Sequence, residues 1–451
     1  MIVCKFGGTS MANARQFEKV KAIVTTNPAR RIVVVSAPGK RFSNDQKVTD
    51  LLIDAFYEFP KENAATVVIE RFLSIQQDLD LPVELVDFAT SELWTRLESS
   101  EGDLNSRLDA VKAFGEEFSA RFFAAYLSSQ GISARFADPQ DIGLLMTEPS
   151  ERAQLLEDSY KELRKLKDTT EILVVPGFYG YTQSGKLRTF ERGGSDITGS
   201  ILAAAVDAEL YENFTDVDFV YAANPNIIDR PEQIELITYR EMRELSYAGF
   251  TVIHDEALMP VYRKQIPVEI KNTNNPSAPG TKIVAHRLLT DRPVTGLTAD
   301  EGFSILYVSK YLMNRELGFG RKLLQIIEEE GISYEHTPSG LDDISVIIRS
   351  HYLTPKKEQR IVNRVLQELG AEVAYFKHGL SMIVLVGEGM RNSTGLAARA
   401  TLAISQTGAN IEMINQGSSE VSLVFGVLEK DKEKIVRALY DAFFQRVKLR
   451  A

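Results

Sequence analysis

Residues 2–10 read Ile-Val-Cys-Lys-Phe-Gly-Gly-Thr-Ser. A short apolar run ends on a lysine, two glycines turn the chain, and two hydroxyl residues open the next element. The run predicts a strand over residues 2–6 that stops at Gly7-Gly8, and the pattern of residues 12–26 predicts the next helix. Such a turn is built for an anion. Glycines let backbone N–H groups approach a phosphate, a helix start presents more of them, and Lys5 adds a full charge. It is not a Walker loop, because the lysine precedes the glycines and the G-x-x-x-x-G-K spacing is absent. Taken alone, Gly-Gly-Thr-Ser also reads as a plain turn and helix cap.

Outward from this stretch, short apolar runs alternate with longer helical patterns over the first ~290 residues, which predicts a layered α/β domain. Arg31-Ile-Val-Val-Val-Ser36 has the β-branched run of a strand buried on both faces. Residues 49–130 read as mainly helical. Residues 171–176 read as another core strand, leading into a glycine-rich stretch at 177–199. A helix at 195–206, a strand at 209–213, helices at 238–245 and 255–263 and a strand at 267–271 come next. Residues 272–280 are loop chemistry throughout, and a domain boundary is expected near 285–297.

At 451 residues the chain is too long for one ordinary domain, and its 44% hydrophobic and 25% charged composition is that of a globular protein. A net charge of -10 argues against a general nucleic-acid binder, which needs a basic face. The one cysteine, Cys4, excludes an intrachain disulfide and reads as a small buried strand residue. The apolar start breaks at Lys5, too soon for a signal peptide, and no apolar run reaches the ~20 residues of a membrane span. A reducing cytosol is the expected location.

A second glycine-rich helix start is Arg192-Gly-Gly-Ser-Asp196. Arginine offers a bidentate fork to a carboxylate; Ser195 and Asp196 read either as ligands or as helix caps. Two such turns in one α/β domain point to two anionic groups held face to face.

The remainder repeats itself at a shift of about 77 positions. Met313 falls on Met390, Gly318 on Gly395, Glu335 on Glu412, Gly340 on Gly417, and residues 344–348 on 421–425 without a gap. Each copy reads strand, glycine-bearing loop, helix, strand, hairpin, strand. The pair resembles tandem ACT domains, small amino-acid-binding modules, over roughly residues 300–451. The resemblance implies effector contacts at Met313, Gly318, Phe319, Ser333 and Glu335, and in the second copy at Asn410 and Gln416. It also implies that one module can interrupt the other.

Lys5-Phe-Gly-Gly-Thr-Ser, Arg192-Gly-Gly-Ser-Asp and Phe214-Thr-Asp-Val together resemble aspartate kinases of the amino-acid-kinase superfamily, over essentially the whole chain. The implied fold class is a three-layer α/β kinase domain at 1–290, followed by α+β ACT modules at 298–376 and 377–451. The implied reaction is transfer of phosphoryl from ATP, with Mg²⁺ on the nucleotide, to the side-chain carboxylate of L-aspartate. Lys5 and Asp196 would be catalytic, and Gly7 and Gly8 would line the phosphates. Ser36, Thr49, Glu116, Arg192 and Ser195 would hold aspartate; Thr215, Asp216 and Tyr221 would hold the nucleotide. No residue set reads as a protein-held metal site. Alone, Glu116 beside Glu117 is a solvated helix residue, Thr49 a helix cap and Tyr221 strand packing. The attacking carboxylate is already ionised at neutral pH, so five histidines are no obstacle. The resemblance further implies feedback by lysine, with threonine or both together left open, and a homodimer through the ACT modules, with a tetramer open.

Three positions depart from the family pattern. Asn226 stands where an arginine is usual, Thr251 where a lysine is usual, and Asp255 follows His254 in place of proline. Arg263, Lys264 and Lys271 are the nearby cations that would compensate. The competing readings are a catalytically weak amino-acid sensor on the same fold and a glutamate or acetylglutamate kinase. The Arg192-Gly-Gly-Ser-Asp196 motif and the ACT pair argue against the latter.

Overall fold

The computed structural model describes residues 1–148, 153–190, 193–250, 252–288, 292–391 and 393–445. The chain forms two compact units, Met1–Val220 with Ile234–Arg243 and Thr251–Arg287, and Tyr221–Gln233 with Glu244–Phe250 and Leu288–Ala451.

The first unit is built on an eight-stranded sheet. Its strands are β1 (Ile2–Phe6), β2 (Arg30–Val35), β3 (Ala134–Phe136), β4 (Ile172–Pro176), β5 (Leu210–Thr215), β6 (Leu236–Thr238), β7 (Val268–Asn272) and β8 (Thr281–Val284). The spatial order is β6-β8-β7-β5-β1-β2-β4-β3, parallel except between β7 and β8. β1, the opening run, thus lies in the middle, and all five of its residues are buried. The helices are α1 (Ala14–Thr25), α2 (Val48–Glu58), α3 (Asn63–Asp78), α4 (Glu84–Glu98), α5 (Leu104–Ser129) and α6 (Gly194–Ala205).

Helices α1 to α5 share one core with the face of the sheet that carries Cys4, Phe6, Val33, Val35 and Phe214. Phe114, Phe118 and Phe122, spaced four apart on α5, pack edge-on or tilted against Phe72 of α3. That i, i+4, i+8 stripe is the apolar face of an amphipathic helix. Beneath them, Arg30 of β2 forms a buried ion pair with Glu212 of β5 at 2.6 Å, and Cys4 Sγ donates to the same carboxylate at 3.2 Å. Burial and Glu212 together push the Cys4 thiol well above its ordinary pKa, so it is an inert core residue. Helix α6 covers the opposite face, where the Tyr211 hydroxyl donates to the backbone oxygen of Asp196 at 3.1 Å.

The second unit carries a six-stranded antiparallel sheet. Two strands of 14 residues, β9 (Gly296–Ser309) and β10 (Val373–Val386), run through its middle. Phe303–Ser309 pairs with Asp343–Arg349 and with the first half of β10, whereas Gly296–Asp300 pairs with Met382–Val386. Both copies of the repeat are therefore threaded through the same two strands. Their helices start alike, at Phe319 and Leu396, each behind a glycine at φ 76 and 84, a conformation that glycine adopts without a Cβ penalty. A single cut near residue 290 misses two segments that belong to this unit. Ala222 accepts from Leu297 N at 2.7 Å, the Ala248 oxygen accepts from Thr298 Oγ1 at 2.8 Å, and Glu232 N donates to the Tyr440 hydroxyl. Segments tied to the second unit by such hydrogen bonds belong with it.

Candidate active site

The site lies where β1, β2 and β5 end and α5 and α6 pass over them. Gly7 N donates to Phe214 O at 3.0 Å and Gly39 N to Gly8 O at 2.7 Å, so the turns after β1, β2 and β5 are tied together. The two turns touch at the glycines: a Cβ on Gly39 would lie 2.5 Å from Gly8 C and 2.7 Å from Thr9 N. Arg71 of α3, almost fully buried, pins the second turn. It donates to Gly39 O at 2.9 Å and pairs with Asp45 at 2.9 Å. Nothing around Arg71 in the sequence signalled this.

Lys5 reaches Asp196 on α6, Nζ to Oδ1 at 2.5 Å, with both side chains nearly closed to solvent. Helix α6 starts directly behind Gly193, whose φ of 59 makes the turn, and no side chain caps it. Ser195 and Asp196 therefore lie in the first turn and the capping reading of them fails. Gly177, after β4, lets Ser195 come close, since a Cβ there would sit 2.6 Å from Ser195 Cβ. His254 packs on the turn at Gly193. Arg192 and Thr251 lie outside the described residues.

Glu116 is not a solvated helix residue. It is 5% exposed, and its Oε2 has no hydrogen-bond partner. Gly115 lets α5 press against the turn after β2, because a Cβ there would lie 2.7 Å from Ala37 Cβ. Burial pushes the Glu116 carboxyl up to about 8, against the opposing pull of the Ala37 N–H and of the Lys112 and Lys5 charges. Lys112, one turn earlier on α5, pairs with Asp109 at 2.7 Å and donates to Thr189 at 2.9 Å. The sequence reading missed Lys112, although its i, i+4 spacing to Glu116 places both on one helix face. Ser36 is half-buried at the end of β2, its N–H on Phe6 O, and Thr49 is half-buried in the first turn of α2, whose N-cap is Lys47.

Thr215 ends β5 and donates to Asp216, which is exposed, while Tyr221 falls in the second unit. Asn226 is exposed, its N–H on the Asn224 side chain. Of the candidate compensating cations, Lys264 is paired with Asp207 at 2.8 Å. Lys271 lies beside Phe214 in the β5–β7 register, half-buried.

In the second unit, Met313 and Phe319 are buried, Gly318 is the turn before its helix, and Ser333, Asn410 and Gln416 are exposed. Glu335 accepts from Arg349 at 3.2 Å and from the Tyr247 hydroxyl, and Asn410 donates to Glu412 at 3.2 Å.

Residues 1–272 match the amino acid kinase family, and residues 383–443 match an ACT domain. Aspartokinase 3 of Bacillus subtilis is 49% identical to this chain over 451 residues, 99% of each. The chain belongs to the aspartokinase family. The aspartate kinase of Clostridium acetobutylicum superposes on it with a TM-score of 0.83 at 35% identity, over 98% of this chain and 99% of that one. Aspartokinase III of E. coli, in complex with aspartate and ADP, shares the fold at a TM-score of 0.81 and 23% identity, over 99% and 100% of the two chains. The same enzyme with lysine and aspartate, in its T-state, gives 0.77 at 22%, over 99% and 100%. As an aspartate kinase, this aspartokinase has to bring two anions together in its site. The buried lysine and the paired glycine turns are suited to that task. No helix among the described residues is long and apolar enough to cross a membrane.

Proposed function

We propose that the chain transfers the γ-phosphoryl group of ATP to the β-carboxylate of L-aspartate, giving 4-phospho-L-aspartate, the entry to lysine, threonine and methionine synthesis. The observation that carries this reading is the buried Lys5–Asp196 pair set at the joined glycine turns, with the bare Glu116 oxygen on α5 beside the turn after β2. Lys5 and the N–H groups at Gly7 and Gly8 would take the charge on the transferring phosphoryl group. Glu116 would meet the aspartate ammonium; Ser36, Thr49, Ser195 and Arg192 would hold its carboxylates. The nucleophile needs no base, so positioning and electrostatic stabilisation account for most of the rate. Mg²⁺ on the nucleotide, when bound, neutralises further phosphate charge. The described residue that would face it is Asp196, whose carboxylate offers the oxygen donors this hard cation or its waters take. Thr215, Asp216 and Tyr221 would hold the nucleotide, with Lys271 standing in for the family cations replaced by Asn226 and Thr251.

Feedback by lysine, or by threonine, would act through Met313, Gly318, Phe319, Ser333 and Glu335, with Asn410 and Gln416 in the second copy. Aspartokinase III of E. coli, which shares the fold, forms a T-state complex with lysine and aspartate, the precedent for an amino-acid effector on such a fold. The modules would pair with those of a second subunit in a cytosolic homodimer.

The test is ATP- and aspartate-dependent acyl phosphate formation, trapped as the hydroxamate, with and without lysine and threonine. Turnover suppressed by lysine supports the whole reading, and turnover indifferent to both amino acids removes the effector assignment. Asn226, exposed where the family carries an arginine, favours a second reading as an amino-acid sensor with weak activity. Folded protein that binds amino acids without turnover would establish it.

A further inference from the structure

A strand in the middle of a sheet, covered on both faces, normally carries apolar side chains. β5 breaks this rule at Asn213, which is 1% exposed. The register places Asn213 directly beside Lys5 on the adjacent parallel strand, so both side chains rise from the same face of the sheet, toward α6. Asn213 Nδ2 donates to Asp196 Oδ1 at 2.9 Å, the same oxygen that Lys5 Nζ approaches at 2.5 Å. Its own Oδ1 is buried with no partner.

Burying an amide with one end unsatisfied is destabilising, and a leucine would fill the same space without that cost. What the amide supplies is a second donor on Asp196. Lys5 alone would hold the carboxylate only while Lys5 stays paired with it. Lys5 has to share its charge with the phosphoryl oxygens when the nucleotide arrives, and at that moment a singly held carboxylate is free to rotate or to follow the ammonium. Asn213 comes from a rigid central strand, and the Tyr211 hydroxyl two residues earlier holds the backbone oxygen of Asp196 at 3.1 Å. One strand therefore fixes Asp196 at both its main chain and its side chain, independently of Lys5.

We propose that Asn213 is a positioning residue for phosphoryl transfer: it anchors Asp196 so that Lys5 can turn to the transferring group without losing its counter-ion. The proposal rests on the reading of Lys5 and Asp196 as the transfer pair.

The experiment compares Asn213→Leu and Asn213→Asp with Lys5→Met and Asp196→Asn, all as the full chain, in steady-state kinetics with aspartate and ATP varied and with thermal unfolding recorded in parallel. The leucine keeps the volume without the donor; the aspartate keeps the shape and sets a second carboxylate against the first. The expected result is a tenfold or larger fall in kcat for both Asn213 variants, with KM for aspartate within about twofold of the parent and a cooperative unfolding transition retained. Asn213→Leu removes the buried unsatisfied oxygen together with the hydrogen bond to Asp196, so its unfolding temperature should stay near the parent's, and a purely structural asparagine would not give lower kcat with unchanged stability. Parent-like kcat in both Asn213 variants, alongside a large loss in Lys5→Met and Asp196→Asn, overturns this inference and leaves the transfer pair standing. Parent-like kcat in Lys5→Met and Asp196→Asn overturns the transfer pair and this inference with it. A fall in kcat accompanied by a matching rise in aspartate KM and a lowered unfolding temperature assigns Asn213 to packing and also overturns it.

Discussion

Replacing Glu116 by Gln tests whether aspartate binding expels a proton. The carboxyl sits at about 8, held up by burial, so at pH 7 only about one site in ten is ionised, and at pH 8 about half. If the aspartate ammonium pairs with the ionised form, the apparent affinity falls with the ionised fraction. The KM for aspartate should then rise about fivefold from pH 8 to pH 7 and about tenfold more to pH 6. At pH 7 binding should release close to one proton, readable by titration calorimetry in buffers of different ionisation enthalpy. Glu116→Gln should bind more weakly at pH 8, with no proton release and a flat pH response. The same group acts on stability with a definite sign. Its folded pKa lies above the ordinary 4.5, so its contribution is fully present below pH 4.5 and is lost as pH rises through 8. The loss is roughly 5 kcal/mol across that window. In the absence of substrate, Glu116→Gln should therefore gain stability over the parent at pH 8 relative to pH 4.5. An aspartate KM that is constant between pH 6 and 8, with no proton released, would refute the reasoning.

Four further outcomes are expected from the packing. Gly39→Ala forces a Cβ into the backbone of Gly8 and Thr9, and should cost about 1–3 kcal/mol in urea unfolding and lower kcat/KM for both substrates. Glu212→Ala leaves Arg30 charged and unpaired beneath the sheet, and a loss of about 3–5 kcal/mol is expected by chemical denaturation. Lys271→Ala should raise the KM for ATP about tenfold or more if this residue replaces the missing family cations; an unchanged value would send that role elsewhere. Purified protein should sediment as a dimer at micromolar concentration, and a monomer there would end the shared-ACT proposal.

Runs dominated by one period were readable in advance. The β-branched stretches of β1, β2 and β4 and the glycine-led start of α6 appear within a residue or two of where their patterns place them. The repeat was readable because the same residue types recur at the same turns: Gly318 and Gly395 hold the same left-handed conformation before their helices. Shorter elements escaped. The hairpin Tyr179–Thr182 with Leu187–Thr189 was hidden in a glycine-rich stretch, and β3 is only three residues long. β5 was read as ending at Asn213, yet its ladder to β1 runs on to Phe214. An asparagine signals a strand end only if water is near, and here Asp196 takes the place of water. Glu116 escaped for the related reason that no local pattern reveals a carboxyl pressed against another loop by a neighbouring glycine.

The two shared strands of the second unit carry a consequence for synthesis. Gly296–Asp300 has its sheet partner at Met382–Val386, 82 to 90 residues later, and a ribosome working at ~5–20 residues per second needs roughly 4–18 s to deliver it. During that interval the start of β9 is an open edge on a nascent chain, the kind of surface that recruits other strands. The same threading makes the modules melt as one. A chain stopped after the first copy would keep its helices and half its ladder while Gly296–Asp300 lacked its β10 partner. Such a fragment is expected to aggregate, so the second copy serves as the closing strand of the first whether or not it ever binds an amino acid.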